Sequence, residues 1–137
     1  FDAMEQYYQR EGRDWERYAW IKGRVLTGSP AEAAELHALM RPFVFRRYLD
    51  YGAFAGLREL KARIDQEVRR RDLSDHLKLG RGGIREVEFT VQLTQLVRGG
   101  REPALRVRGT LEALAAMREL GLIEVDAAVR LADAYRL

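Results

Sequence analysis

The sequence predicts a mainly α-helical chain with at most one or two short strands. Apolar residues recur with the 3.6-residue period over almost every segment, helix start and stop signals fall where that period breaks, and only residues 77–79 are too short and apolar for anything but a brief strand. Residues 2–10 read as a first helix with Phe1, Met4 and Tyr8 along one face and a stop near Gly12. Asp14 can cap a second, whose stripe of Trp15, Tyr18, Ala19 and Val25 ends by Gly28. Ser29-Pro30-Ala31-Glu32 is a capping box with proline at the first helical position, and it opens a third helix carrying Leu36, Leu39 and Met40 that Pro42 ends or kinks.

Phe43, Val44 and Tyr48 give a further short helix over residues 43–51 an apolar side, and Gly52 a stop. Leu57, Leu60, Ile64 and Val68 follow at clean helical spacing, with Glu59 and Arg63 as an i,i+4 pair. Gly80, Arg81, Gly82 and Gly83 require a turn or loop. Over residues 84–97 a strand and a helix compete. The helix is the better account, because Ile84, Val87 and Val91 share one face while Phe89, Leu93, Leu96 and Val97 form a second almost opposite, as in a helix buried on two sides. After a break at residues 98–103, Leu111, Leu114 and Met117 mark a helix stopped by Gly121, and Ala128, Leu131, Ala132 and Tyr135 mark the last. Neither end carries a cap, so both look cut from a longer polypeptide.

With 137 residues, 47% of them hydrophobic, the chain can bury roughly two thirds of its unfolded surface as one domain or a piece of a larger one. No apolar run approaches the roughly 18–20 residues that span a bilayer, so no membrane is implied. The absence of cysteine excludes disulfides and thiolate metal sites and permits a reducing compartment, with the cytoplasm as the default. The 24 basic residues stand against 21 acidic ones, so charge alone gives no argument for nucleic acid. His37 and His76 are isolated, which disfavours metallohydrolase and serine-hydrolase arrangements.

Two stretches could carry chemistry. In the first, Lys78, Gly80, Arg81, Gly82, Gly83 and Arg85 bring a glycine-rich turn, free N–H groups at a helix start and three cations together, which suits a phosphate. The same residues also describe a tight turn ahead of a buried helix. They fit neither a phosphate-binding loop of the Gly-Lys-Ser/Thr type nor the dinucleotide fingerprint, where Arg85 replaces the third glycine. On the helix, Glu88, Gln92 and Gln95 form one stripe and Glu86 points toward the side of Phe89 and Leu93. A carboxylate there calls for a metal or a salt bridge. On a strand, Glu86 and Glu88 would share a face, as paired metal ligands do. In the second stretch, Arg13, Arg17, Trp20 and Arg24 follow at spacings that stack three guanidinium groups and an indole on one helix face, fit either for a nucleotide or for solvent. Lys22 lies within it.

Tyr7-Tyr8-Gln9, Gly12-Arg13-Asp14-Trp15-Glu16-Arg17-Tyr18-Ala19, Arg41-Pro42-Phe43-Val44-Phe45-Arg46-Arg47-Tyr48-Leu49-Asp50, the motif over residues 78–89 and Arg98-Gly99-Gly100-Arg101-Glu102-Pro103 together resemble the glutamine synthetase adenylyltransferase/adenylyl-removing enzymes, over essentially the whole chain. The resemblance implies a segment of the N-terminal, deadenylylating half of a bifunctional enzyme with two polymerase-β-like nucleotidyltransferase domains. Residues 1–98 would be the mostly helical C-terminal part of one such domain, and residues 99–137 the start of the following helical bundle. It further implies Mg²⁺ as cofactor, ATP, ADP and phosphate as ligands, and glutamine synthetase and a PII-type signal protein as partners. Lys22, Arg24, Lys78, Gly80, Arg81, Gly82, Gly83 and Arg85 become nucleotide or phosphate contacts, and Glu86 and Glu88 candidates for catalysis or metal binding. The family's Gly-Ser and Asp-x-Asp signature has no counterpart here and is expected upstream of Phe1, so the segment alone should be inactive. Gly23 departs from the alanine that the family commonly has, which loosens the helix and the placing of Arg24. A non-enzymatic helical interaction module, which needs an exposed apolar groove, and a helical nucleic-acid-binding domain, which needs arginines on one face, are the alternatives.

Overall fold

A computed structural model describes residues 1–46, 55–56, 58–59, 61–63, 66 and 83–136, and its described residues are mainly helical with no strand among them. The elements in chain order are α1 (Asp2–Arg10), α2 (Asp14–Trp20), α3 (Pro30–Val44), α4 (Ile84–Arg98), a 3₁₀ turn (Pro103–Leu105), α5 (Thr110–Glu119) and α6 (Val125–Arg136). The strand expected at residues 77–79, most of the helix expected over residues 43–51, and the apolar positions Leu57, Leu60, Ile64 and Val68 lie outside the described residues. Ala55, Gly56, Arg58, Glu59, residues 61–63 and Gln66 are helical. Arg63 closes the expected i,i+4 pair on Glu59 at 2.6 Å.

Helix α4 organises the packing, because its apolar residues face two ways. Leu93 and Leu96 join a first cluster built on Ile21, Met40, Phe43 and Val44, with Met4 and Tyr8 of α1 packed on it. Val87 and Val91 join a second cluster with Leu105, Ala113, Leu114 and Met117, covered by Leu131, Ala132 and Tyr135 of α6. Leu96 and Val91 are fully buried on their respective sides. The two-sided helix anticipated over residues 84–97 is therefore present, and α4 is the wall shared by α1–α3 and α5–α6.

The caps show why the helices begin and end where they do. Ser29 Oγ accepts from the Glu32 amide at 3.2 Å while Glu32 Oε2 accepts from the Ser29 amide at 2.7 Å, the reciprocal box read in the sequence. At the far end of α5, the Leu122 amide donates to Met117 O at 2.9 Å and the Gly121 amide to Arg118 O at 3.0 Å. This two-bond closure needs a left-handed residue, and Gly121 has φ +64°.

Five expectations are corrected. Helix α2 stops at Trp20 and does not continue to Val25, because Ile21 turns into the first cluster. Its N-cap is Arg13, not Asp14, and the Arg13 amide donates to Glu16 Oε2 at 2.8 Å. Trp15 is 55% exposed and Ala19 is exposed, so of the expected stripe within α2 only Tyr18 packs on the core, and the buried residues of the helix are Glu16 and Arg17. Pro42 neither ends nor breaks α3, which runs on to Val44. Only two residues follow the proline, both are buried in the core, and their carbonyls find a side-chain donor described below. Phe43 consequently belongs to α3 and does not begin a new helix.

Candidate functional site

The stripe along α4 repeats at i, i+3, i+7 and i+10 through Arg85, Glu88, Gln92 and Gln95, which places four polar side chains above one another. At the buried end, Gln95 Nε2 donates to Leu105 O at 2.8 Å and to Val107 O at 2.7 Å, holding the 3₁₀ turn and its exit against α4. Gln92, also buried, reaches the Tyr18 carbonyl at 3.5 Å. Nearest the helix start, Glu88 Oε1 accepts from the Tyr135 hydroxyl at 3.0 Å.

Groups from three elements surround Glu88. Tyr18 of α2 lies with its ring 5.5 Å from Phe89, and its hydroxyl is pushed up to about 12, first by burial and then by the Glu88 charge, with Arg85 opposing. Lys22 donates through Nζ to Thr110 Oγ1 at 2.7 Å and to Arg108 O at 2.9 Å. Burial lowers its pKa, Glu88 raises it and Arg108 lowers it again. Glu88 is thus held by a phenol in the second turn of α4, with Lys22 within reach of its charge and Arg85 one turn earlier on the same stripe.

Of the residues expected to bind nucleotide or phosphate, Lys22 and Arg85 lie near this cluster: the Glu88 charge acts on Lys22, and Arg85 acts on the Tyr18 hydroxyl. Gly83 is the N-cap of α4. Arg24 is exposed in the segment after α2 and shares no helix face with Arg17. Lys78, Gly80, Arg81 and Gly82 lie outside the described residues. Because residues 84–98 are helical, Glu86 and Glu88 stand about 200° apart around the axis, which removes the strand alternative with both on one face. Glu86 is exposed, whereas Glu88 is half-buried.

A Mg²⁺ site needs oxygen ligands converging on one point. Among the described residues no three His, Cys, Asp or Glu side chains do so, and these residues do not by themselves fit the ion.

The Arg13–Arg17–Trp20 face has a different use. Arg17 is completely buried, donating from Nε to Phe43 O at 3.0 Å, from Nη2 to Val44 O at 3.2 Å and from Nη1 to Asp14 Oδ1 at 3.1 Å. A fixed cation at the C-terminal carbonyls of α3 satisfies acceptors that the helix leaves open. Glu16 caps α2 and accepts from the Tyr7 hydroxyl at 3.1 Å. A Cβ on Gly12 would run into the Phe43 ring. One on Gly23 would stand 2.8 Å from Trp20 Cε3, so here the glycine lets the indole lie across the end of α2. Tyr18, Tyr135, Thr110 and Arg108 were not singled out as site residues from the sequence. Tyr135 carries only its place in a helical period, and it lies 47 positions from Glu88.

Two family models match the chain. A family model described as glutamate-ammonia ligase adenylyltransferase matches residues 1–39, and one described as GlnD PII-uridylyltransferase matches residues 58–137. Both descriptions name enzymes that transfer a nucleotidyl group, which defines the class. Proteins named bifunctional glutamine synthetase adenylyltransferase/adenylyl-removing enzyme are 53% identical over 98% of the chain in Aromatoleum aromaticum and 53% identical over 100% of it in Shewanella woodyi. The chain belongs to the family of bifunctional glutamine synthetase adenylyltransferase/adenylyl-removing enzymes. It spans 14% of the length of each of these two relatives.

Proposed function

We propose that this chain is the helical wall of the adenylyl-removing site in such an enzyme, where phosphate attacks the adenylyl group carried by a tyrosine of glutamine synthetase and ADP is released. A phosphate oxygen forms the new bond to phosphorus, the bond from phosphorus to the tyrosyl oxygen breaks, and that oxygen takes up a proton. The observation that carries the reading is the placement of Glu88 between Tyr135, Tyr18 and Lys22 at the start of α4, directly after the glycine-rich motif. In this reading Arg85 and Lys22, with Lys78 and Arg81 of the motif, neutralise phosphate charge, and the glycines at 80, 82 and 83 admit the ligand to backbone N–H groups. Glu88 balances the charge of Lys22 beside it. ATP for the reverse modification, Mg²⁺, the PII-type regulator and a cytoplasmic setting belong to the same proposal.

The test is made in the full-length protein with Glu88→Gln and Gly82→Val, each expected to depress deadenylylation at least about tenfold, equivalent to roughly 1.4 kcal/mol of transition-state stabilisation. Thermal melting is measured beside the rate. Normal activity in both variants rejects the assignment, and a rate loss matched by a loss of stability favours a purely structural role for α4.

A further inference from the structure

The C-terminal end of α2 with Ile21 and Gly23, the C-terminal half of α3, and the 3₁₀ turn with the segment after it line a pocket of about 550 Å³. Its volume lies in the range of small-molecule sites. Arg41, Arg106, Arg108 and His37 line it, and among the described residues no acidic side chain does, in a chain whose 24 basic and 21 acidic residues otherwise nearly balance. This local excess of positive charge has an apolar counterpart in Trp20 and Phe45, both half-buried against the first cluster.

The cations differ in how they are held. Arg106 is fixed, with Nε donating to Gly99 O at 2.6 Å and Nη2 to Gly100 O at 3.2 Å, so part of its guanidinium fork is committed to the fold while the residue lines the pocket. Arg41 and Arg108 are exposed and approach from α3 and from the loop. A fixed guanidinium with two exposed ones lining the same pocket suits an anion with several oxygens better than a single carboxylate. The aromatic lining beside them suits a ring attached to that anion.

We propose that this pocket is a second ligand site, separate from the Glu88 cluster, for a phosphorylated small molecule carrying an aromatic ring, of the nucleoside monophosphate class. The inference does not rest on the adenylyl-removing assignment, since neither Glu88 nor the glycine-rich motif lines the pocket.

The experiment is photolabelling of the full-length protein with an azido-substituted nucleoside monophosphate, followed by peptide mapping, in the wild type, Arg41→Glu and Glu88→Gln. Labelling of peptides holding Trp20 or residues 41–45 is expected, reduced at least about tenfold by Arg41→Glu and unchanged by Glu88→Gln. Arg41 is exposed and α3 does not depend on its side chain, and an unaltered melting temperature checks this. No label in those peptides, or label that survives Arg41→Glu, overturns the proposal; so does filling of the pocket by another segment of the full-length chain, which gives the same absence of label. A second arm measures protection by inorganic phosphate against protection by the unlabelled nucleoside monophosphate. The nucleotide should protect at concentrations at least about tenfold lower, and equal protection removes the ring from the proposal.

Discussion

Replacing Arg17 with alanine separates a structural guanidinium from a ligand-binding one. The side chain is fully buried and bonds the carbonyls of Phe43 and Val44 at the end of α3, as well as Asp14. A hydrogen bond from a charged group contributes about 1.5–3 kcal/mol, and a buried carbonyl left without a donor costs a comparable amount. Two carbonyls lose their donor, while Asp14, with its side chain 29% exposed, recovers some hydration. The expected loss is about 3–5 kcal/mol, the range for removing one partner of a buried charged group. Hydrogen exchange in the full-length protein reads this locally. Amides of α2 and the last turn of α3 should exchange at least roughly a hundredfold faster, because each 1.4 kcal/mol is about a factor of ten. Arg17→Lys should recover little, since an ammonium lacks the fork that spans both carbonyls. Unchanged exchange in α2 and α3, together with lost activity, would refute the structural role and restore Arg17 to a nucleotide-facing surface.

Other outcomes follow from single contacts. Gly23→Ala should displace the Trp20 indole, seen as a shifted tryptophan emission with little change in helix content, because the added Cβ stands 2.8 Å from Cε3; an unchanged spectrum in a protein with Trp15 replaced by phenylalanine counts against the packing. Gly121→Ala meets no atom within 4 Å but must hold φ +64°, so it should cost about 1 kcal/mol by chemical denaturation, from backbone strain alone. The Tyr18 phenol, pushed up to about 12, should ionise after ordinary tyrosines in an ultraviolet titration, and Tyr18→Phe should remove that late step. Its raised folded-state pKa means that the folded state binds this proton more tightly, so the contribution is complete below pH 10 and is lost as pH rises toward 12. The 137-residue chain alone should release no ADP from adenylylated glutamine synthetase, since it carries no Asp-x-Asp signature.

Local signals made much of the fold legible. The Ser29–Glu32 box, the stop at Gly121 and the two opposite apolar faces of α4 all depend on residues within a few positions of one another, and each appears as read. The misreadings came from distant contacts. Nothing near Trp20 says that α2 must end there; Ile21 is claimed by Met40, Phe43 and Leu96. Pro42 reads as a breaker until Arg17, 26 positions away from Phe43, supplies the terminal donors. The candidate site divides the same way. Glu88 was visible as a carboxylate on a largely apolar helix, but its phenol lies 47 residues on, and Lys22 finds Thr110 across 88 residues. The regular spacing of Arg13, Arg17 and Trp20 gave no sign that the middle residue points inward.

The assignment to the adenylyl-removing half is tested most directly by measuring both reactions of the full-length protein carrying Arg85→Ala. Phosphate-dependent release of ADP from adenylylated glutamine synthetase should fall at least about tenfold, or roughly 1.4 kcal/mol, while transfer of AMP from ATP to the unmodified enzyme keeps its rate. Retention of ADP release, or a selective loss of AMP transfer, would contradict the placement of α4 at the removing site.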